Sequence, residues 1–309
     1  MILIIGGNGY LGKRIASFLN NKSYNLIIGS TKKNFSDLDT DSYKTLYCDV
    51  LDKNSLFKCT RSVDVVINLS GLNSEDSKKF PGLANDIKVL GNKNLSEACN
   101  LNNVKKIISF STIHVYKQPL IGEFLENSSP TPTHPYGISN FKGEQSLING
   151  LNDTNIDLTI FRLSNAVGRP INVQNNCWTL LVNDICRSAV IDQSITIKSN
   201  KNILRDFISI SDICNYLEFF INNEGDKNSP IFNLCSGNSI TIEDIAKKVI
   251  LAFSKCNMSN IKLEFINQNE ENLSLKISNS KLVNFTKKQP SGLDNEILDL
   301  AKSCIEWFR

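Results

Sequence analysis

The chain has 309 residues, 41% of them hydrophobic and 21% charged, which suits a globular protein with one large domain and a smaller lobe. A net charge of +3, without a long run of Lys and Arg, argues against a nucleic-acid-binding protein. The nine cysteines form no C-x-x-C pair and no metal-ligand spacing, so we expect reduced thiols in a cytoplasmic protein without a metal site, with disulfides as the alternative.

Short apolar runs alternate with amphipathic stretches over the first part of the chain. The first run starts at Ile2, which leaves no room for a signal peptide, and no run approaches the ~18 apolar residues of a membrane span. The predicted strands are Ile2–Ile5, Asn25–Gly29, Thr45–Cys48, Val63–Leu69, Lys105–Ser111 and Leu158–Leu163, and the predicted helices are Tyr10–Asn21, Asn54–Thr60, Leu83–Asn102 and Pro135–Gly150. Val-, Ile- and Leu-rich strands that alternate with helices predict an α/β fold with a doubly wound parallel sheet, a Rossmann fold.

This alternation ends near residue 165, where Pro, Asn and short mixed elements become frequent. Four further helices are predicted beyond it, near Trp178–Val190, Ser211–Asn222, Thr241–Ser254 and Leu293–Phe308. We therefore expect a dinucleotide-binding domain over residues 1–165, to which later segments return. Residues 166–309 should form mainly a smaller C-terminal lobe that binds the substrate.

A glycine turn between the first strand and the first helix predicts a dinucleotide site. Gly6, Gly9 and Gly12 permit a tight turn, a close approach of the pyrophosphate and close packing of helix on strand. Because the turn opens a helix, the phosphates would meet amide groups and the positive end of the helix dipole. The residues between these glycines, Asn8, Tyr10 and Leu11, belong to the same predicted site.

The residues after the second predicted strand distinguish NADP from NAD. An acidic residue there would bind the adenosine ribose of NAD, but this chain has Ser30, Thr31 and Lys32, which offer hydroxyls and positive charge to a 2′-phosphate. We therefore predict NADP, with NAD, or a merely solvated loop, as the alternatives. Asp49-Val50 after the third strand is placed to hold the adenine, and Leu69-Ser70-Gly71 after the fourth should lie under the cofactor.

Five motifs, in order along the chain, resemble those of the extended short-chain dehydrogenase/reductase family of nucleotide-sugar epimerases, dehydratases and reductases. They are Ser111–Tyr116, Pro135–Ser139 with Glu144, Arg162–Pro170, Arg205–Asp212 and Phe232–Gly237. The resemblance implies that Thr112 hydrogen-bonds the reacting sugar oxygen, that Tyr136 transfers the proton and that Arg205 contacts the nucleotide diphosphate. His114 and Asn165, from the same motifs, are further expected substrate-binding residues. A homodimer, built through the helices around Leu83–Asn102 and Tyr136–Gly150, is also implied.

The chain departs from the family pattern at the catalytic lysine. In the family a lysine four residues after the tyrosine binds the nicotinamide ribose, and its charge lowers the tyrosine pKa. Here that residue is Asn140, which can hydrogen-bond a ribose but carries no charge. The preceding helix, where the family usually has Asn, carries Lys88. We hypothesise that the Lys88 ammonium takes over the missing charge near Tyr136; the alternative is a solvent-facing lysine.

The segment after the fifth strand narrows the reaction that the resemblance implies. A 4,6-dehydratase usually has Asp-Glu after the threonine, whereas this chain has Ile113-His114, so we do not expect dehydration. Epimerases that retain NAD normally keep the acidic residue that is absent here. We therefore expect an NADPH-dependent 4-ketoreductase of a nucleotide-linked 4-keto-6-deoxyhexose, acting in polysaccharide biosynthesis. The alternatives are a nucleotide-sugar 4-epimerase and a catalytically weak NADP- or nucleotide-sugar-binding protein.

Overall fold

The computed structural model describes residues 1–31, 43–267 and 274–309, which form two compact units. The first unit contains Met1–Leu120, Glu126–Leu163 and Tyr216–Phe232, and the second contains Ile121–Leu125, Ser164–Asn215 and Asn233–Arg309. Each unit therefore takes segments from separate parts of the sequence.

Fourteen strands and ten helices are present in the described residues. The strands are β1 (Ile2–Ile5), β2 (Leu26–Ser30), β3 (Lys44–Tyr47), β4 (Val65–Asn68), β5 (Lys106–Thr112), β6 (Gly122–Phe124), β7 (Asp157–Leu163), β8 (Asn165–Val167), β9 (Ser194–Ile197), β10 (Leu204–Ser209), β11 (Ile231–Leu234), β12 (Ser239–Thr241), β13 (Lys262–Phe265) and β14 (Leu275–Ile277). The helices are α1 (Tyr10–Asn21), α2 (Lys53–Cys59), α3 (Ser74–Lys79), α4 (Pro81–Leu101), α5 (Pro135–Leu151), α6 (Leu181–Ile191), α7 (Ile210–Asn222), α8 (Ile242–Lys255), α9 (Ser280–Thr286) and α10 (Asp294–Phe308), and a single 3-10 turn spans Ile113–Val115.

A seven-stranded sheet with the order β11-β7-β5-β4-β1-β2-β3 organises the first unit. The strands from β3 across to β7 pair in parallel. All residues of β1, β2, β4 and β5 are buried, as expected for strands covered on both faces. The strand order reverses between β1 and β4, the switch point beside which ligands bind in such sheets. The predicted doubly wound α/β fold is therefore confirmed.

Small residues let α4 and α5 approach each other and the sheet closely. A Cβ added to Gly143 on α5 would lie 3.0 Å from the Cβ of Lys88 on α4, and one added to Gly150 would lie 2.8 Å from the Ser96 Oγ. On the other side of α4, a Cβ at Gly91 would lie 2.7 Å from Val50 Cγ2. Both helices are thus held tightly beside the carboxyl ends of the central strands.

The second unit is built from small sheets and helices around its own core. Its sheets have the orders β12-β10-β8, β13-β9 and β14-β6. β10 pairs antiparallel with β12 and parallel with β8. Buried side chains of α6, α8 and α10 form the core with β9 and β10.

The described residues contain no helix that combines the length and the apolar character needed to cross a membrane. All nine cysteines are free thiols, and all but Cys256 are buried.

Candidate functional site

The glycine turn lies at the carboxyl end of β1, beside the end of β4. Gly6 has φ +76°, a left-handed conformation that favours glycine, and a Cβ there would lie 3.2 Å from the carbonyl carbon of Leu69. A Cβ at Gly12 would lie 2.5 Å from the Gly6 oxygen, so only glycine lets α1 start this close to the turn. Gly9 is the N-cap of α1, without a side chain over the first amide groups of the helix.

This turn fits a dinucleotide pyrophosphate, as two features of the residues indicate. The first turn of a helix leaves N–H groups without intrahelical acceptors, and the glycines keep the approach to them free of side chains. The buried Asn8 Oδ1 has no hydrogen-bond partner in the described part of the chain, so it offers an acceptor to a cofactor hydroxyl. Tyr10 and Leu11, the first residues of α1, complete the turn.

The ends of β2 and β3 carry the residues predicted to bind the adenosine. Ser30 ends β2 and is buried, while Thr31, the next residue, is exposed. Lys32 lies outside the described residues. After β3, Asp49 accepts a hydrogen bond from the Leu51 N–H at 2.9 Å. Asn94 on α4 donates to the Val50 carbonyl oxygen at 3.0 Å, which fixes the segment that begins with Asp49.

A polar network that the sequence analysis missed supports the end of β4. Ser70 donates its hydroxyl hydrogen to Asn68 Oδ1 at 2.6 Å, and Asn68 donates to Asn92 Oδ1 on α4 at 2.9 Å. Asn92 in turn donates to the Gly143 carbonyl oxygen of α5 at 3.0 Å. The segment Leu69-Ser70-Gly71 is thereby fixed to both helices. Polar residues inside an apolar strand and on the buried face of a helix were the available signal.

Thr112 and Tyr136 come together at the carboxyl end of β5. The Thr112 hydroxyl lies within hydrogen-bonding reach of Tyr136. Burial raises the pKa of the Tyr136 phenol, and Thr112 offsets part of this rise. Thr112 Oγ1 also accepts the N–H of His114 at 3.3 Å, and the His114 and Tyr136 rings lie 6.2 Å apart. A hydroxyl pair and an imidazole thus share one end of the sheet.

His114 belongs to a short turn that Gly137 allows to approach α5. A Cβ at Gly137 would lie 2.4 Å from the His114 carbonyl oxygen, so a larger residue would separate Tyr136 from this turn. The His114 ring nitrogen Nδ1 lies 3.2 Å from Gln118 Nε2, a contact that orients the half-buried imidazole.

Asn140, at the position of the family's lysine, is buried and turned onto its own helix. Lys88 is also buried, with 7% of its surface exposed, so the alternative of a solvent-facing lysine is wrong. The Lys88 ammonium donates to the Phe110 carbonyl oxygen of β5 at 3.1 Å. A Cβ at Gly71 would lie 3.2 Å from Lys88 Nζ, so the amine reaches the end of β4 because residue 71 is glycine.

Burial lowers the pKa of Lys88 to about 8, although the field of Glu144 partly offsets this effect. Near neutral pH the amine is therefore still mostly charged, and it sits between the ends of β4 and β5. The amine thus contacts β5 at Phe110 and packs against Gly71 at the end of β4.

Glu144 and Arg162 form a buried ion pair behind this cluster, a contact that sequence reasoning did not predict. Arg162 donates to Glu144 with Nη2 at 2.7 Å and with Nε at 3.1 Å, and Ser111 donates to the same carboxylate. The guanidinium also lies over the ring of Tyr116, 4.9 Å from its centre. Both residues occur in the recognised motifs, but nothing in their spacing indicated that they pair.

The two remaining predicted residues lie in the second unit. Asn165, on β8, donates to the Asp206 carbonyl oxygen at 2.7 Å and so ties β8 to β10. Arg205, on β10, is half-buried, and partial burial lowers its pKa. Within the described ranges no hydrogen bond or ion pair joins its guanidinium to another residue, so this cation is available to an anionic ligand.

Comparisons with known proteins show the family to which the sequence is similar. The sequence model of the NAD-dependent epimerase/dehydratase family matches residues 2–235. A UDP-glucose 4-epimerase of Mycoplasma genitalium is 27% identical over 274 residues, which cover 80% of this chain and 81% of that protein. A GDP-6-deoxy-D-talose 4-dehydrogenase of Aggregatibacter actinomycetemcomitans is 26% identical over 272 residues, 87% of this chain and 83% of that one.

Solved structures share the fold. The crystal structure of a Thermotoga maritima UDP-glucose 4-epimerase with UDP-glucose superposes with a TM-score of 0.83 and 17% identity, covering 97% of both chains.

Proposed function

The chain belongs to the NAD-dependent epimerase/dehydratase family, and we propose that within it the chain is an NADPH-dependent 4-ketoreductase of a nucleotide-linked 4-keto-6-deoxyhexose. The observation that carries this proposal is the hydroxyl pair of Thr112 and Tyr136, with the apolar Ile113 beside it where a dehydratase would need an acid. Such a pair can hold and protonate an oxygen, and neither Ile113 nor His114 after Thr112 is a carboxylate that could remove water from the sugar.

Tyr136 supplies the proton and Thr112 orients the sugar oxygen in this proposal. A reduced nicotinamide, when bound, supplies the hydride that reduces the carbonyl carbon. As negative charge develops on the sugar oxygen, Tyr136 donates its phenolic proton and Thr112 donates a hydrogen bond. Burial alone raises the Tyr136 pKa, which makes the phenol a weak acid. The site therefore needs a positive charge to stabilise the phenolate that remains.

Lys88 provides that charge. It is buried, bonded to Phe110 beside Thr112, and packed against Gly71 at the end of β4. Asn140 cannot take this part, since its amide is uncharged and directed to its own helix. Lys88 therefore acts from α4 in place of a lysine on α5.

Arg205 is the residue for the nucleotide diphosphate. A guanidinium that is half-buried and lacks a protein partner gains most from an anion that can accept two parallel hydrogen bonds. Asn165, on β8 of the same unit, is the second proposed substrate-binding residue there.

NADP is the proposed cofactor because β2 ends at Ser30 and Thr31 follows it, so hydroxyls stand where a carboxylate would bind the ribose of NAD. NAD stays the alternative, since the family is described as NAD-dependent.

We also propose that the enzyme is cytoplasmic, given its free thiols. We further propose a homodimer formed through the outer faces of α4 and α5; Leu83 and Leu90 of α4 are each 45% exposed. Light scattering at micromolar concentration measures the oligomeric state, and a monomer would contradict the proposed dimer.

A 4-epimerase is the second candidate, and the relative from Mycoplasma genitalium, which spans 80% of this chain, favours it. Both activities need Tyr136 and Thr112. They differ in that a reductase consumes added NADPH, whereas an epimerase interconverts two sugars without net consumption.

The test is to assay the purified chain on UDP-, GDP- and dTDP-linked 4-keto-6-deoxyhexoses with NADPH or NADH, and on the matching 4-epimer pairs without added cofactor. Tyr136→Phe is the inactive control. Consumption of NADPH with a 4-keto sugar, abolished in this variant, is the expected result. Interconversion of epimers alone would assign the chain to the second candidate. Tight binding of NADPH and a nucleotide sugar without turnover would replace both activities with a binding role.

A further inference from the structure

We propose that Glu144 is a positioning residue for Lys88: its carboxylate, held beside β5 by Arg162 and Ser111, keeps the buried amine of Lys88 protonated where it binds the Phe110 carbonyl oxygen. The inference rests on the proposed function, since Lys88 matters to the reaction only if its charge is used.

The geometry brings the two side chains to neighbouring positions of one strand. Lys88 Nζ donates to the carbonyl oxygen of Phe110, while the Glu144 carboxylate accepts from the hydroxyl of Ser111, the next residue. The helices that carry them are in close contact, because a Cβ at Gly143 would lie 3.0 Å from Lys88 Cβ. The amine and the carboxylate are therefore both fixed on β5.

Because Lys88 is buried, its amine needs a nearby negative charge to stay protonated. An ammonium that is 93% hidden from solvent has lost most of its hydration, and the loss favours the neutral form. The field of Glu144 acts in the opposite direction and raises the Lys88 pKa toward its ordinary value. Without this carboxylate the amine would be neutral over more of the physiological pH range.

Arg162 explains why the carboxylate does not cancel the charge of Lys88. It binds Glu144 through two nitrogens, at 2.7 Å and 3.1 Å, and is itself 2% exposed. Two cations and one anion leave the cluster with a net positive charge. Glu144 therefore raises the Lys88 pKa, while the three groups together keep one positive charge.

The described elements packed against this cluster carry the following titratable groups. Glu144, Tyr136 and the exposed Lys142 lie on α5, and Arg162 lies on β7. Helix α3, which also packs on α4, carries two acidic and two basic residues whose charges largely cancel, Glu75, Asp76, Lys78 and Lys79. Helix α2 packs on α4 as well and carries the exposed Lys53, paired with Glu97, and the exposed Lys58. β4 and β5 contribute Asn68, Ser109, Phe110 and Ser111 at this level, which do not titrate.

The experiment follows the Lys88 side chain directly by carbon NMR of lysine-labelled protein, with the signal assigned by its loss in Lys88→Met. In the parent the signal should titrate near pH 8. In Glu144→Gln the midpoint should fall by at least one pH unit, which is a tenfold loss of the charged fraction relative to the neutral one. Glu97→Gln, on the same helix as Lys88 with its partner Lys53 at the surface, is the matched control and should leave the midpoint unchanged.

Ser111→Ala provides a second variant in case Glu144→Gln does not fold. It leaves the ion pair with Arg162 intact but frees the carboxylate from β5, so the Lys88 midpoint should again fall. A midpoint equal to that of the parent in a folded Glu144→Gln or Ser111→Ala protein would overturn the proposal.

The pH profile of turnover separates this inference from the proposed function. The parent should lose activity above about pH 8, as Lys88 loses its proton, and Glu144→Gln should lose it at lower pH by the same interval as the NMR midpoint. If the midpoint moves but the activity profile does not, Glu144 still controls Lys88, and the role of Lys88 in the reaction is rejected instead.

Discussion

The side-chain amide of Asn140 donates a hydrogen bond to the carbonyl oxygen of Tyr136, 2.8 Å away and one turn earlier on α5. The residue at the family's lysine position thus serves the backbone of its own helix, while the nearby buried cation is on α4. Exchanging residues 88 and 140 therefore tests whether the positive charge can act from either helix.

Lys88→Ala should lower turnover by roughly 10²–10⁴-fold, the range of a group that supports proton transfer. Exchanging the two residues, Lys88→Asn with Asn140→Lys, should recover activity that either change alone loses, since one charge would serve from either helix. Steady-state kinetics of the parent, Lys88→Ala, the two single exchanges and the double exchange measure this. A Lys88→Ala enzyme that works as the parent does would reject the exchange.

The buried amine should also make stability depend on pH. The pKa of Lys88 is about 8 in the folded protein and 10.5 in an exposed lysine, so the unfolded chain binds more protons between these values. Relative to Lys88→Met, the parent should therefore gain roughly 3 kcal/mol of unfolding free energy as pH rises through this window, and lose it as pH falls toward 8. Urea unfolding of both proteins at several pH values measures the difference. If the unfolding free energies of the two proteins change with pH in the same way, Lys88 is as solvated in the folded protein as in the unfolded chain.

Gly71→Ala should disturb Lys88 without touching it chemically. The new methyl group would lie 2.8 Å from Lys88 Cε, so the amine has to move. Turnover should fall roughly 10- to 100-fold, as small displacements of a catalytic group commonly do. Gly122→Ala is the matched control, since residue 122 also has a positive φ (+104°) while a Cβ there meets no atom within 4 Å; residue 71 has φ +156°. Equal activity of the two variants would show that the position of Lys88 does not depend on a glycine at residue 71.

The preference for NADP over NAD should depend on the residues at the end of β2. NADP should bind more tightly than NAD by roughly 1–3 kcal/mol, the contribution of charge-assisted hydrogen bonds to the 2′-phosphate. Thr31→Asp should reverse the order, because a carboxylate repels that phosphate and accepts from the ribose hydroxyls of NAD. Titration calorimetry with both cofactors measures the ratio. Equal affinities in the parent would contradict the reading of Ser30 and Thr31.

Arg205→Leu should weaken nucleotide-sugar binding without destabilising the protein. The side chain has no partner among the described residues, so its removal breaks no internal bond, whereas a lost contact to diphosphate should raise KM by roughly 10- to 100-fold. The KM of Arg205→Lys should lie between those of the parent and Arg205→Leu, since an ammonium group cannot bind the diphosphate bidentately. The prediction fails if the melting temperature falls and KM is unchanged.

The sequence predicts the elements that depend on local pattern. β1 and α1 lie where the apolar run and the glycine turn predicted them, and the central strands differ from prediction by one or two residues. Strands such as β11 were missed because four residues next to a loop acquire a strand conformation only by pairing with distant β7. Helix α3 was missed because its six polar residues show no apolar period.

The candidate site was predictable in its residue types but not in its electrostatics. The turn from Gly6 to Gly12 and the segments with Thr112 and Tyr136 have recognisable local patterns. The burial of Lys88 depends on Gly71 and Gly143, which are far from it in sequence. The pairing of Glu144 with Arg162 likewise depends on how α5 lies against β7.

Under the proposed function, the position of Lys88 on α4 also makes the reaction rate depend on how two helices pack. When a tyrosine and its lysine share one helix, the helical repeat fixes their separation, and it survives small shifts of the surrounding structure. Here α4 carries the cation and α5 the phenol, so their separation depends on how closely the two helices pack at Gly143. Catalytic rate would thus respond to pressure, temperature or a bulky residue in the seam between the helices well before the protein unfolds.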